Sequence, residues 1–150
     1  MSVSVISGNL FDANTESLVN TVNTKGKMGR GIALEFKQRY PEMFNDYRSA
    51  CKCGVVKVGK IWVWNTGALM YPQYILNFPT KDDWRNPSKL EWISSGLDDL
   101  RSHVIVLGVK SIALPALGCA NGGLRFEDVR PLIEEKLNDL EIPVLLYEPQ

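Results

Sequence analysis

What most limits how this chain can fold is a hydrophobic period that switches repeatedly between 2 and 3.6, with no repeat or linker to divide it. Residues 3–6 read as a short strand stopped at Gly8, and residues 18–22 as a second. Over 31–40, Ile32, Ala33, Phe36 and Tyr40 fall on one helical face, and Pro41 ends the run. Phe44, Tyr47 and Cys51 repeat the spacing in a second short helix, and residues 61–65 and 74–78 read as strands around a turn at Gly67. Ser88-Lys89-Leu90-Glu91, directly after Pro87, has the form of a capping box. Leu90, Ile93, Leu97, Leu100 and Val104 continue it as a long helix that Gly108 stops. A strand over 111–115, a glycine-rich loop over 118–123, a helix over 127–140 and a strand over 144–147 close the chain. Pro131 is expected to bend the first turns of that last helix or delay its start. Strands alternating with helices predict one α/β domain over residues 1–150, a sandwich built around a mixed sheet.

Composition removes several classes of function. A chain of 150 residues buries roughly 68–70% of its unfolded surface and needs no staple of disulfides or metal. Seventeen basic residues balance seventeen acidic ones, which argues against a grip on duplex DNA made mainly by neutralising phosphates. The single histidine, His103, cannot build a His-rich zinc site, and any His-dependent triad would have to use it. Cys51, Cys53 and Cys119 are odd in number and lack framework or metal-site spacing, so no metal is expected and a reduced, cytoplasmic setting is. The first residues lack the basic flank and apolar run of a signal peptide, and nothing approaches the ~20 apolar residues of a membrane span. The default expectation is a monomer.

Two glycine-containing segments each join a strand to a helix: NTVNTKGKMGRGIA over 20–33 and PALGCANGGL over 115–124. Such loops present backbone N–H groups at helix N-termini, which suits anions and phosphate above all. In open α/β sheets ligands lie beyond the carboxyl ends of the strands, where both loops belong. Neither segment is a Walker loop or the dinucleotide fingerprint. From spacing alone, phosphate binding and simple tight turns stand equally open.

Further motifs accompany these loops in order: Gly8-Asn9-Leu10, Leu18-Val19-Asn20-Thr21-Val22-Asn23, Met28-Gly29-Arg30-Gly31-Ile32-Ala33, Asn77-Phe78-Pro79-Thr80-Lys81, Trp84-Arg85 and the 115–124 loop. Over nearly its whole length the chain resembles the macrodomains, α/β/α modules that bind ADP-ribose. More narrowly it resembles the DarG-type DNA ADP-ribosyl glycohydrolases, and the terminal ADP-ribose glycohydrolase of animal cells shares the general plan. The resemblance implies a three-layer fold with a central mixed sheet and no cofactor. It also implies an antitoxin activity, the removal of ADP-ribose from thymine bases of single-stranded DNA, reversing a DarT-type toxin. ADP-ribose, ADP-ribosylated DNA and, functionally, that toxin are the implied partners. The alternatives are a non-catalytic ADP-ribose reader and a hydrolase of ester-linked ADP-ribose on proteins.

The same resemblance distributes the site. Gly8, Asn9 and Leu10 receive the adenine, Asn23 holds the distal ribose with Asn20 nearby, and Met28, Gly29, Gly31, Ile32 and Ala33 cradle the diphosphate from one side. Gly118, Cys119, Ala120, Asn121, Gly122 and Gly123 cradle it from the other. Thr80, Pro115 and Leu117 complete the ligand set, and Lys81 is the catalytic residue. Read without the resemblance, Lys81 is a solvated lysine paired with Asp82 and Asp83, the asparagines cap turns, and Cys119 is a small filler. Lys25, Lys27, Trp84 and Arg85 are candidates for contacting DNA, with Trp84 as a stacking platform. The chain also departs from the family pattern. Asn9 stands where an aspartate is common, Gly122 where the animal enzyme has an aspartate, and Arg125 where an acidic or amide residue is expected. Ala120 stands where glycine is expected, and a positive φ there would cost its methyl about 1 kcal/mol.

Overall fold

The structure is a computed structural model that describes residues 2–150; Met1 lies outside the described residues. The elements are β1 (Val3–Ile6), a 3-10 turn (Leu10–Asp12), β2 (Ser17–Val22), α1 (Gly31–Arg39), α2 (Pro41–Lys52), β3 (Trp62–Asn65), β4 (Tyr74–Pro79), α3 (Leu90–Leu107), β5 (Ile112–Leu114), α4 (Phe126–Leu137) and β6 (Val144–Tyr147). They form one six-stranded sheet of order β1-β6-β5-β2-β4-β3. Every pairing is parallel except that of the edge strand β3 with β4. This is the mixed sheet expected, with helices on both faces.

The period-2 pattern sorts the core into two clusters. Val19, Leu76, Phe78, Ile112, Leu114, Val144 and Leu146 point to one face and pack against Ile93, Leu97 and Leu100 of α3 and Val129 and Ile133 of α4. Leu18, Val22, Ile75 and Ala113 point to the other and meet Phe36 of α1 and Met43 and Tyr47 of α2. Alternate residues of a strand face opposite ways, so one strand serves both layers. Gly96 lets α3 lie against β4: a Cβ there would run into the ring of Phe78.

Local details differ from the sequence expectation. Ser88 does not cap α3. Lys89 occupies the N-cap position without a side-chain bond, and Ser88 turns inward. Gly108 does stop α3, in the left-handed region at φ 66°. Pro131 does not delay α4, which starts at Phe126 and carries the proline in its interior. The helix ends at Leu137, three residues short of the expected 140, and Leu140 joins the core from the following turn. Among the described residues no helix is long and apolar enough to cross a membrane.

One polar pair sits inside the α1/α2 layer. Asn20 and Asn77 are register partners on β2 and β4, and Asn20 Nδ2 donates to Asn77 Oδ1 at 3.1 Å. Asn77 Nδ2 in turn donates to the Trp62 carbonyl at 3.3 Å, and both amides rest on thioethers, those of Met28 and Met43. Both asparagines are fully buried. Asn77→Leu should therefore strand the Asn20 amide and cost about 1–3 kcal/mol, read as a lower denaturant midpoint at unchanged m. Adding Asn20→Leu should recover part of that loss rather than add to it.

Candidate functional site

The carboxyl ends of all five parallel strands meet one cleft of about 840 Å³. Gly8 to Phe11 follow β1, Asn23 follows β2, Thr80 and Lys81 follow β4, Pro115 to Gly122 follow β5, and Glu148 to Gln150 follow β6. The cleft is partly enclosed, and a pocket of this size with a few convergent polar groups is the usual form of a small-ligand site.

One lip is the 23–30 loop, folded around Asn23. Asn23 Oδ1 accepts from the N–H groups of Lys25 (2.9 Å) and Lys27 (3.3 Å), and its Nδ2 donates to the Lys27 carbonyl (2.8 Å). From beneath, the fully buried Tyr47 hydroxyl donates to the Asn23 carbonyl at 2.7 Å and reaches Oδ1 at 3.1 Å. Burial holds that phenol far above the ordinary tyrosine range, so it remains a donor. Asn23 still lines the cleft. Its turn-capping and its expected ribose contact are thus compatible: the loop bonds fix the amide in place.

The second lip follows β4. Thr80 N–H donates to the Val22 carbonyl, and Thr24 binds Asp82 three times, through N–H and Oγ1 to the carbonyl and through Oγ1 to Oδ1. Asp83 is held by the backbone N–H, Nε and Nη2 of Arg85, which drive its carboxyl far below the usual range. Both acidic neighbours of Lys81 are therefore engaged elsewhere, and the expected pairing with them does not form. Lys81 Nζ donates instead to the Trp84 carbonyl at 3.2 Å. Burial, and secondarily the nearby Arg30 guanidinium, lower its pKa below the ordinary lysine value. Lys81, Arg30 and the half-exposed Trp84 all line the cleft.

The third wall is the 115–124 loop. Gly118 has φ 73°, and a Cβ there would lie 2.8 Å from Leu124 Cδ1. Gly122 has ordinary backbone angles but no room: a Cβ would strike the Gly118 carbonyl oxygen and Ser88 Oγ. These glycines are required by the loop's own packing on its underside. Among the described residues none other than glycine has a positive φ, so the conformational cost expected at Ala120 does not arise. Cys119 lines the cleft, but burial, with Glu127 adding to it, pushes its thiol up to about 11, and a thiolate is not available there.

At the β1 end, Asn9 Oδ1 accepts from Phe11 N–H at 2.9 Å and starts the 3-10 turn, keeping one lone pair for a ligand. Gly8, Leu10, Gly29, Gly31, Ile32, Ala33, Ala120 and Asn121 line the cleft as expected, and so does Lys27. Asn20, Met28, Leu117 and Gly123 do not. The first three are buried supports of the walls, since strand alternation turns Asn20 into the α1/α2 layer and Leu117 fills the α3/α4 core. Lys25 and Arg85 are exposed but lie outside the cleft lining. Sequence reasoning missed Phe11, Glu35 and the chain end. Tyr147, Glu148, Pro149 and Gln150 line the cleft, with Gln150 Nε2 donating to the Gly8 carbonyl at 2.6 Å and Ser7 Oγ bonding Glu148. The position of β6 beside β1 was the available signal, because its exit must fall next to Gly8.

A mainly parallel sheet with glycine loops at its carboxyl edge, and a cleft there walled by amides and a lysine without a carboxylate partner, defines an open α/β domain with its candidate site at the strand exits. The chain belongs to the Macro domain family, whose model matches residues 19–133. It is 49% identical, over 96% of its length, to the DNA ADP-ribosyl glycohydrolase of Thermus aquaticus, and spans 40% of that relative's length. Among solved structures, the macrodomain of Mycobacterium tuberculosis DarG superposes with a TM-score of 0.97 at 49% identity, covering 99% of this chain and 98% of that one. The structure titled Thermosipho africanus DarTG in complex with ADP-ribose superposes at 0.94 and 35% identity, covering 99% of this chain and 42% of that one.

Two glycines separate loop packing from cleft access. Gly122→Ala should lower the melting temperature, because the backbone it strikes cannot yield cheaply, at about 1–3 kcal/mol. Gly29→Ala, whose Cβ meets nothing within 4 Å, should leave stability within about 0.5 kcal/mol. Thermal unfolding of the two variants checks both.

Proposed function

We propose that the cleft binds ADP-ribose and that the chain removes it from thymine bases of single-stranded DNA, with Lys81 as the catalytic residue. The observation that carries this reading is the state of Lys81: it lies on the cleft wall, free of its neighbouring carboxylates, with a lowered pKa. A pure reader of ADP-ribose has no use for such a lysine. The names of the relatives, a DNA ADP-ribosyl glycohydrolase and a DarTG protein solved with ADP-ribose, point the same way. In this assignment Gly8, Asn9 and Leu10 face the adenine, Asn23 the distal ribose, and the 29–33 and 118–122 segments the diphosphate. A DarT-type toxin is the functional counterpart, and a cytoplasmic setting suits three free thiols.

The chemistry follows from what surrounds the lysine. The carboxylates that line the cleft, Glu35 and Glu148, are bonded to Arg39 and Ser7, while Asp82 and Asp83 lie outside it. Among the described residues no carboxylate is thus poised beside Lys81 to activate water. The neutral amine attacks the anomeric carbon that bears the base, the thymine leaves with its charge offset by Arg30, and water then releases ADP-ribose. Trp84 offers its indole to a base flanking the modified one, with the Arg85 guanidinium 5.5 Å from the ring centroid.

Lys81→Ala should depress turnover of a DarT-modified oligonucleotide by orders of magnitude while ADP-ribose affinity in calorimetry changes only a few-fold. A variant as active as the parent removes the assignment, and firm binding without turnover by the parent promotes the reader. The amine must be neutral to attack, so the rate should rise with pH through the lowered lysine pKa; a rate that falls there assigns the ammonium an electrostatic role instead. Trp84→Ala should raise KM for the modified oligonucleotide about five-fold or more, the loss of one stacked base, and leave ADP-ribosyl-thymidine turnover unchanged.

A further inference from the structure

Two buried side-chain polar atoms among the described residues have no hydrogen-bond partner, Asn20 Oδ1 in the core and Ser88 Oγ beneath the phosphate loop. Ser88 is 6% exposed and ends the segment that carries Lys81 and Trp84. Its N–H donates to the Gly122 carbonyl at 3.0 Å, so the residue is tied to the loop by its backbone while its hydroxyl stays unused. That hydroxyl is aimed into the loop. It and the Gly118 carbonyl oxygen are the two nearest atoms that a Cβ on Gly122 would strike. The Gly118 oxygen already accepts from Leu124 N–H at 2.9 Å, which leaves its second lone pair free. A buried hydroxyl without a partner costs stability, and such a group in a folded protein calls for an explanation. Gly118 at φ 73° and Gly123 at φ 78° give this loop backbone torsions that no side chain restricts.

We infer that Ser88 is a positioning residue for the phosphate loop: its hydroxyl donates to the Gly118 carbonyl when a diphosphate draws the loop inward. The bond forms with the ligand, so its free energy appears as affinity and not as stability of the empty protein. Ser88 touches no ligand in this scheme. It acts through Gly118 and Gly122, and the inference rests on the ADP-ribose reading of the cleft.

The test compares the intact chain with Ser88→Ala in three measurements. The melting temperature of the ligand-free variant should equal or exceed that of the parent, because an unsatisfied hydroxyl has been removed. ADP-ribose affinity by calorimetry should fall roughly three- to tenfold, the range of one neutral hydrogen bond. On a modified oligonucleotide KM should rise by the same factor with kcat unchanged. Unchanged affinity overturns the inference. So does a lowered melting temperature in the ligand-free protein, which would mean that the hydroxyl is already bonded there. A parent that fails to bind ADP-ribose overturns the functional reading and this inference together, whereas a parent that binds alongside an indistinguishable Ser88→Ala overturns this inference alone.

Discussion

Parallel pairing is the constraint on which the rest of the molecule depends. A strand that pairs in parallel with its neighbour cannot hand the chain over through a tight hairpin, so it leaves through a loop and returns by a crossover. Five strands here are parallel, and all five exits lie along one edge of the sheet. Five loops with unpaired backbone groups are thereby gathered within the reach of one small ligand. β3 is antiparallel and turns back at the opposite edge, and it contributes nothing to the cleft.

Loops are ordinarily the loosest parts of a fold, and here hydrogen bonds made by both side chains and backbone hold them. Tyr47 secures the 23–30 loop from α2, Thr24 and Asp82 join that loop to the segment after β4, and Ser88 joins the segment to the 118–122 turn. Each link crosses from one loop to another or to a helix. Three walls of the cleft are therefore linked in series, and Lys81 is positioned by contacts made on either side of it. Removing its acidic neighbours from play is part of the same arrangement: Asp82 is used to fasten a wall and Asp83 to hold Arg85 beside Trp84.

Much of this was legible in the sequence. Alternation in Val19 against Leu18, and the 3.6 spacing from Leu90 to Val104, reported the layers because burial on one face leaves a periodic trace. The two glycine loops marked the edge of the sheet at which the cleft lies. What periodicity cannot carry is the direction of a polar side chain. Asn20 and Asn23 are three residues apart in similar company, yet the last turn of β2 sends one into the core and the other to the cleft. The S-x-x-E pattern at Ser88 failed as a capping signal because a tertiary contact to Gly122 displaced the local one. The chain end was missed because Tyr147 to Gln150 have no pattern at all, and their place follows only from the strand order.

That placement bears on how the molecule is handled. Ser2 pairs with Val144 at the foot of the sheet, remote from every strand exit, whereas Gln150 is bonded to Gly8 on the cleft wall. A purification tag, a fluorophore or a surface tether joined after Gln150 would emerge at the mouth of the cleft. It would crowd Gln150 at the Gly8 carbonyl. The same attachment made ahead of Ser2 would join the chain at the other end of the sheet, so the direction of immobilisation is itself a variable in any measurement of binding.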